Sequence, residues 1–277
     1  MKDFEKLFQE YSVETDETII NDEIEKILTQ TPLNHNVNTI LYGCLDYTSL
    51  NCTDNEDHIN KMVEHINNNI KTDVAAICVY PYFVNTVKTN LRKNGVNIAA
   101  VSGGFPSSQT FQEIKIAETN LCLLEGATEI DAVLPVGLFL DKQYEYISDE
   151  IHELKELCGD RKLKYILETG ILNNPNEIKN ASILALEFGA DFIKTSTGKD
   201  KKGADKKSVF IMCQVIKLFN EKYNKRVGVK VAGGVNSIEE AKEYAKIVSA
   251  ILGEDYLNKR TFRIGTSRLE KQLFELI

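Results

Sequence analysis

Nothing in this chain of 277 residues approaches the roughly 18 uninterrupted apolar residues that a membrane-spanning helix requires. Its opening, Met1-Lys2-Asp3-Phe4-Glu5-Lys6, is charged where a secretory signal would be apolar. Positive charge is in deficit. The 33 lysines and arginines stand against 41 aspartates and glutamates, for a net charge of −8, which argues against a dedicated nucleic-acid surface. The lysines that do gather, Lys199, Lys201, Lys202, Lys206 and Lys207, read as one solvated loop. The six cysteines form neither a CxxC pair nor a tight framework. They read as reduced thiols, several packed in the core, and the expected compartment is the cytoplasm. No stretch rich in glycine or proline suggests a linker, and no short repeat is visible.

What is present is a strand followed by a helix, many times over. Short apolar runs rich in β-branched residues recur at 40–45, 74–80, 98–101, 130–134, 165–167, 192–193, 227–231 and 262–264. They are apolar on consecutive positions, as strands buried on both faces should be. Helical patterns lie between them. Thr110 and Glu113 form a capping box before the stripe Ile114, Ala117, Leu121 and Leu124, and Gly126 stands where a C-cap glycine belongs. Ser237 and Glu240 repeat the box, Ile147, Ile151, Leu154 and Leu157 make one apolar face, and Gly189 closes the helix before the sixth strand. Eight such units predict a (β/α)8 TIM barrel over residues 39–277. An open doubly wound sheet usually has fewer strands, and no G-x-G-x-x-G follows the first strand here. Two amphipathic patterns within residues 1–38 predict an N-terminal helical extension capping the bottom of the barrel.

In a barrel of this kind, reactive groups project from the C-terminal ends of the strands. Those ends carry Asp46, Thr48, Cys78, Tyr80, Asp131, Glu168 and Thr169. Two lysines stand out, Lys194 in Asp-Phe-Ile-Lys-Thr-Ser-Thr-Gly-Lys and Lys230 in Val-Gly-Val-Lys-Val-Ala-Gly-Gly. Ammonium groups are rarely placed at the ends of buried strands. Two that converge should depress each other's pKa by repulsion and desolvation, leaving a neutral, nucleophilic amine. An acid such as Asp131 between them could move protons during imine chemistry; a buried ion network that merely ties strands together is the plainer alternative. Three flexible turns, Gly198-Lys199, Gly233-Gly234 and Gly265-Thr266-Ser267-Arg268, offer backbone donors to a phosphate. The four histidines, His35, His58, His65 and His152, show no HxH or HxxxH spacing and fall away from the strand ends, so no metal site is expected.

With those residues in place, the chain resembles the deoxyribose-phosphate aldolases, a class I Schiff-base family. The resemblance spans about Leu41 to Leu273. It is carried by Leu45-Asp46-Tyr47-Thr48, Ala76-Ile77-Cys78-Val79-Tyr80-Pro81, Gly104-Phe105-Pro106, Glu129-Ile130-Asp131 and the two lysine segments. It implies reversible cleavage of 2-deoxy-D-ribose 5-phosphate to D-glyceraldehyde 3-phosphate and acetaldehyde, with no organic cofactor or metal. By position, Lys194 corresponds to the Schiff-base lysine, Lys230 to the lysine that lowers its pKa, Asp131 to the proton-managing acid and Asp46 to a carboxylate supporting Lys230. The resemblance also implies substrate contacts from Thr48, Cys78 and Thr197, and phosphate contacts from Gly198, Lys199, Gly233, Gly234, Gly265 and Ser267. The implied partner is a small phosphorylated sugar, with no nucleic acid and no membrane, and association as a homodimer is left open. The chain departs from the family in ending at Ile277 without a tyrosine-bearing tail, in Arg268 where a serine is often found, in Val231 where some members have proline, and in Ser107-Ser108 after Phe-Pro. An isomerase or another lysine aldolase on the same barrel is the first rival, and a non-catalytic phosphate-binding barrel the second.

Overall fold

The computed structural model describes residues 3–172 and 174–277. Its strands are β1 Leu45–Thr48, β2 Ala76–Val79, β3 Asn97–Ser102, β4 Glu129–Val133, β5 Lys162–Ile166, β6 Phe192–Lys194, β7 Gly228–Ala232 and β8 Phe262–Thr266. All neighbours are parallel, and β8 pairs with β1 to close an eight-stranded barrel. Helices follow the strands on the outside, so the molecule is a (β/α)8 barrel.

The outward strand residues and the inner helix faces make one core. Leu163, Tyr165, Ile193, Val229, Val231 and Ile264 pack there with Ile147, Ile151 and Leu154 of the helix Tyr144–Cys158 and with Ile211 and Val215 of the helix Lys206–Tyr223. Inside the barrel, apolar filling is confined to one side, where Ala76, Cys78, Ala99 and Val101 of β2 and β3 meet Leu50. The remaining interior is ionic.

Several local expectations are corrected. The run 40–45 is not a strand: Val37–Gly43 is helical, and β1 begins only at Leu45. The buried side chains Leu41 and Tyr42 supply an apolar run that a helix packed on the barrel satisfies equally well. The capping box at Thr110 does not form, because the helix Gln112–Glu125 starts from Phe111 without a side-chain cap. Gly126 does close that helix in the left-handed conformation, and Ser237 does accept the Glu240 amide. The N-terminal helices Phe4–Gln9 and Glu17–Gln30 do not cover the base of the barrel. The second lies across the outer helices Lys206–Tyr223 and Ile238–Leu252, pinned by Lys207 to Glu17 and by Lys246 to the Leu28 carbonyl. Among the described residues, no helix is long and apolar enough to cross a membrane.

Candidate active site

Strand register puts the charged residues face to face. Lys194 of β6 is paired with Lys230 of β7, Lys230 with Arg263 of β8, and Asp131 of β4 with Lys164 of β5. Because alternate residues of a strand share a face, these side chains enter the same interior, where all are buried.

Asp131 is the hub. Its Oδ2 accepts from Lys194 Nζ at 2.8 Å and from Lys230 Nζ at 2.6 Å, and its Oδ1 accepts from Lys164 Nζ at 2.7 Å. Asp46 Oδ2 accepts a second bond from Lys230 at 2.5 Å, and Asp46 Oδ1 accepts from Arg263 Nη1 at 2.6 Å. Glu129 completes the lower part, 2.7 Å from Lys164 Nζ and 2.7 Å from Arg263 Nη2. Charges this deep must be matched. The interior holds four basic side chains, Lys164, Lys194, Lys230 and Arg263, against three carboxylates, Asp46, Glu129 and Asp131. One cation is in excess, and the balance is met when one amine is neutral.

Of the four, Lys194 is the one whose pKa is lowered rather than raised. Burial lowers its pKa, and the neighbouring Lys230 ammonium adds to the effect, against the pull of Asp131. Lys230 goes the other way. Burial would lower it, but Asp131 and Asp46 together hold it charged, well above the ordinary lysine range. The expected mutual depression of two amines is therefore one-sided, because two carboxylates reach Lys230 and one reaches Lys194. For Asp46, burial is outweighed by Lys230, Arg263 and Lys164, and the carboxyl lies far below its usual range. Asp131 is likewise depressed, the effect of burial overcome by Lys164, Lys194 and Lys230.

Above Lys194 opens a cavity of 190 Å³ at the C-terminal mouth. It gathers Thr48, Thr197, Gly198, Lys199, Lys230, Gly233, Gly234, Gly265 and Ser267 around Lys194, so most of the residues expected at the site do converge. Asp131 and Asp46 lie beneath it as partners of the lysines. Cys78 does not line it but packs in the small apolar cluster below, its thiol pKa raised by burial. Gly265, which lines the cavity, is also packed from below: a Cβ there would come within 3.2 Å of Lys230 Cε and 2.9 Å of Ala232 Cβ, so its bareness makes room for the lysine stem. Gly233 has φ of 89° and lies so close to Gly203 and Ser196 that a side chain would collide with both. The amides that open the last helix are not free as expected. Those of Arg268 and Leu269 donate to Thr266 Oγ1, and Arg268 stays outside the cavity.

Sequence reasoning gave no role to Lys164, Glu129 and Arg263, which belong to the ion network; Lys164 and Arg263 stand in the sequence as single charges between buried apolar neighbours. Glu168, expected at the end of the fifth strand but given no role there, also joins the site. It is buried at the end of β5 with φ of 55°, a costly conformation for a non-glycine residue. Its carboxyl accepts the Thr197 hydroxyl at 2.5 Å and the Thr197 amide at 3.2 Å, fixing the first residue of the Gly198 turn. Burial raises its pKa against those hydrogen bonds.

Residues 40–254 match the family model described as DeoC/LacD family aldolase. The chain belongs to that family. As one of its members it is an aldolase, and hence a lyase. Among its relatives is the deoxyribose-phosphate aldolase of Homo sapiens, 34% identical over 249 residues, covering 83% of this chain and 78% of the relative. The enzyme of that name from Bos taurus is 34% identical over 250 residues, covering 83% and 79%. A solved structure of the deoxyribose phosphate aldolase from Aeropyrum pernix, described as uniquely tetrameric, superposes with a TM-score of 0.71 at 24% identity, covering 92% of this chain and 96% of its own. That likeness shows the barrel fold of the aldolase.

Proposed function

We propose that this aldolase cleaves 2-deoxy-D-ribose 5-phosphate reversibly to D-glyceraldehyde 3-phosphate and acetaldehyde through an imine on Lys194. The observation that carries the reading is the excess interior cation. A buried lysine with one carboxylate partner, beside a second lysine that stays charged, is the amine that loses its proton. It opens onto a cavity bordered by glycine turns, and named relatives act on deoxyribose phosphate.

In this mechanism the neutral Lys194 nitrogen attacks the aldehyde carbon of the open-chain sugar to give a carbinolamine, which loses water to form an iminium. Removal of the C3 hydroxyl proton then breaks the C2–C3 bond. Glyceraldehyde 3-phosphate leaves, and the electron pair remains on the enamine. Protonation at C2 and addition of water release acetaldehyde and restore the amine. Asp131, bonded to both lysines, moves the protons with water, and Asp46 holds Lys230 in place and charged. Thr48 and Thr197 meet the sugar hydroxyls. The phosphate lies among Gly198, Lys199, Gly233, Gly234, Gly265 and Ser267. The scheme needs no cofactor beyond the lysine. Cys78 acts only through the shape and dryness of the floor below.

We further propose self-association as a homodimer. Ile114, Leu121 and Leu124, with Phe111 before them, are exposed along one face of the helix Gln112–Glu125, an apolar stripe of the kind that marks an interface.

Sodium borohydride added with acetaldehyde tests the chemistry. The expected product is an N-ethyl group on Lys194, absent from Lys194→Met, together with glyceraldehyde 3-phosphate release that the same variant abolishes. An adduct on another lysine, or none, overturns the reading.

A further inference from the structure

The barrel has a second opening, at the opposite end from Lys194. Asn97 begins β3, Glu129 begins β4, Lys162 begins β5, and Arg263 follows the first residue of β8. These N-terminal strand ends surround a cavity of 1140 Å³, far larger than the one at the mouth. In a chain of net charge −8, its lining is basic: Arg161, Lys162, Arg226, Lys259, Arg260 and Arg263 face it, against Glu129 and Asp160.

Several of these cations are already engaged. Lys162 pairs with Asp191 and Arg226 with Asp255, and Lys259 donates to the Gly95 carbonyl. Arg161 and Arg260 are different: among the described residues, neither guanidinium has a carboxylate within ion-pair distance, and both are exposed on the rim. At the floor, Arg263 and Glu129 form a buried bidentate pair. Arg263 also reaches upward to Asp46, which accepts from Lys230. One side chain thus borders the basal cavity and belongs to the ion network beneath Lys194.

From this geometry we infer that the basal cavity is a second anion site, taking a multiply charged phosphate anion, and that its occupancy slows turnover through Arg263 and Asp46. Unpaired guanidinium groups at the rim of a concave basic surface are suited to phosphate oxygens, which they bind in a fixed fork. The width of the cavity calls for more than one phosphate group. A negative charge settled over Arg263 adds to the field that favours the protonated form of Lys194, so less of the reactive amine remains. The binding stands by itself; the slowing rests on the proposed aldol reaction.

Inorganic tripolyphosphate titrated calorimetrically into the full chain tests the site, with Arg161→Glu/Arg260→Glu as the basal variant and Ser267→Glu as the variant at the mouth. Binding should survive Ser267→Glu and weaken at least about tenfold in the basal pair. The basal pair should keep the far-ultraviolet circular dichroism of the parent and its borohydride adduct. Wild-type affinity in the basal pair, or loss of all binding in Ser267→Glu, overturns the site whatever reaction the mouth performs. With deoxyribose 5-phosphate saturating, so that competition at the mouth is removed, tripolyphosphate should lower kcat at least about twofold in the parent and leave the basal pair unchanged. Retained binding with an unaltered kcat sinks the coupling alone.

Discussion

Lys194 and Lys230 are the same residue type on neighbouring strands in matched register, yet they end with opposite electrostatics. The difference is one carboxylate. Lys230 shares Asp131 and also holds Asp46, whereas Lys194 has only its part of Asp131. This predicts the outcome of Lys230→Leu. Removing the ammonium takes away a charge that opposes protonation of Lys194 and frees Asp131 to pair more fully with it, so the Lys194 pKa rises. The neutral amine then appears only at higher pH. The ascending limb of the pH–rate profile should move upward, and imine formation at neutral pH should slow by roughly tenfold for each pH unit the limb moves. A profile measured on single turnovers that stays in place would show the two amines to be uncoupled. Both lysines were legible in the sequence as charges ending apolar runs. Their unequal states were not, because Asp46 and Asp131 lie far from them along the chain and only closure of the barrel brings them together. Lys164 escaped notice for a related reason: Lys162-Leu163-Lys164-Tyr165 alternates charge with apolar residues and resembles a strand with a wet face, although in a closed barrel that face is interior.

The helix Gln112–Glu125 shows how an element can be recognised and still be turned the wrong way. Its apolar positions Ile114, Ala117, Leu121 and Leu124 have helical spacing, which points to a core face. The structure turns that face to solvent and buries Lys115, Thr119, Cys122 and Leu123 instead. The inversion is stabilised by a buried ion pair between helices, Lys115 Nζ to Glu150 Oε2 at 2.6 Å, with Tyr165 of β5 also donating to Glu150. Replacing one partner leaves the other charge stranded in the core. Lys115→Met should therefore cost about 3–5 kcal/mol in urea unfolding, whereas Lys115→Met/Glu150→Leu should recover most of that loss. Equal stability of the single and double variants would mean that the pair carries no coupling. Periodicity identified the helix and Gly126 its end, but hydrophobicity could not distinguish a face that meets the barrel from one that is left exposed.

At the scale of the whole molecule, the exposed stripe on that helix and the two mouths of the barrel divide the surface by task. The apolar stripe predicts self-association. Sedimentation should find the parent as a dimer, and Leu121→Glu/Leu124→Glu should shift it toward the monomer, because two charges cannot be desolvated without partners. A monomeric parent would leave the stripe without that occupant. The ion network joins the upper and lower mouths, so the charge state of Lys194 belongs to the barrel interior as a whole. The N-terminal helices add neither a lid nor a floor; they strap the outer helices and leave the basal cavity open.

The amino-acid sequence alone determined most of the succession of strands and helices, the helix ends at Gly126, Gly189 and Ser237, and the placing of two lysines and three glycine turns at one end of the strands. These are local properties, set by hydrophobic period, capping and the need to bury apolar residues on both faces of a parallel sheet. Only the tertiary structure decided which lysine has its pKa lowered, which carboxylates each lysine meets, that Gly265 makes room for Lys230, and that a basic cavity lies behind the site. Each of these depends on distances between residues remote in the chain, and electrostatic energy inside a barrel follows those distances and the depth of burial.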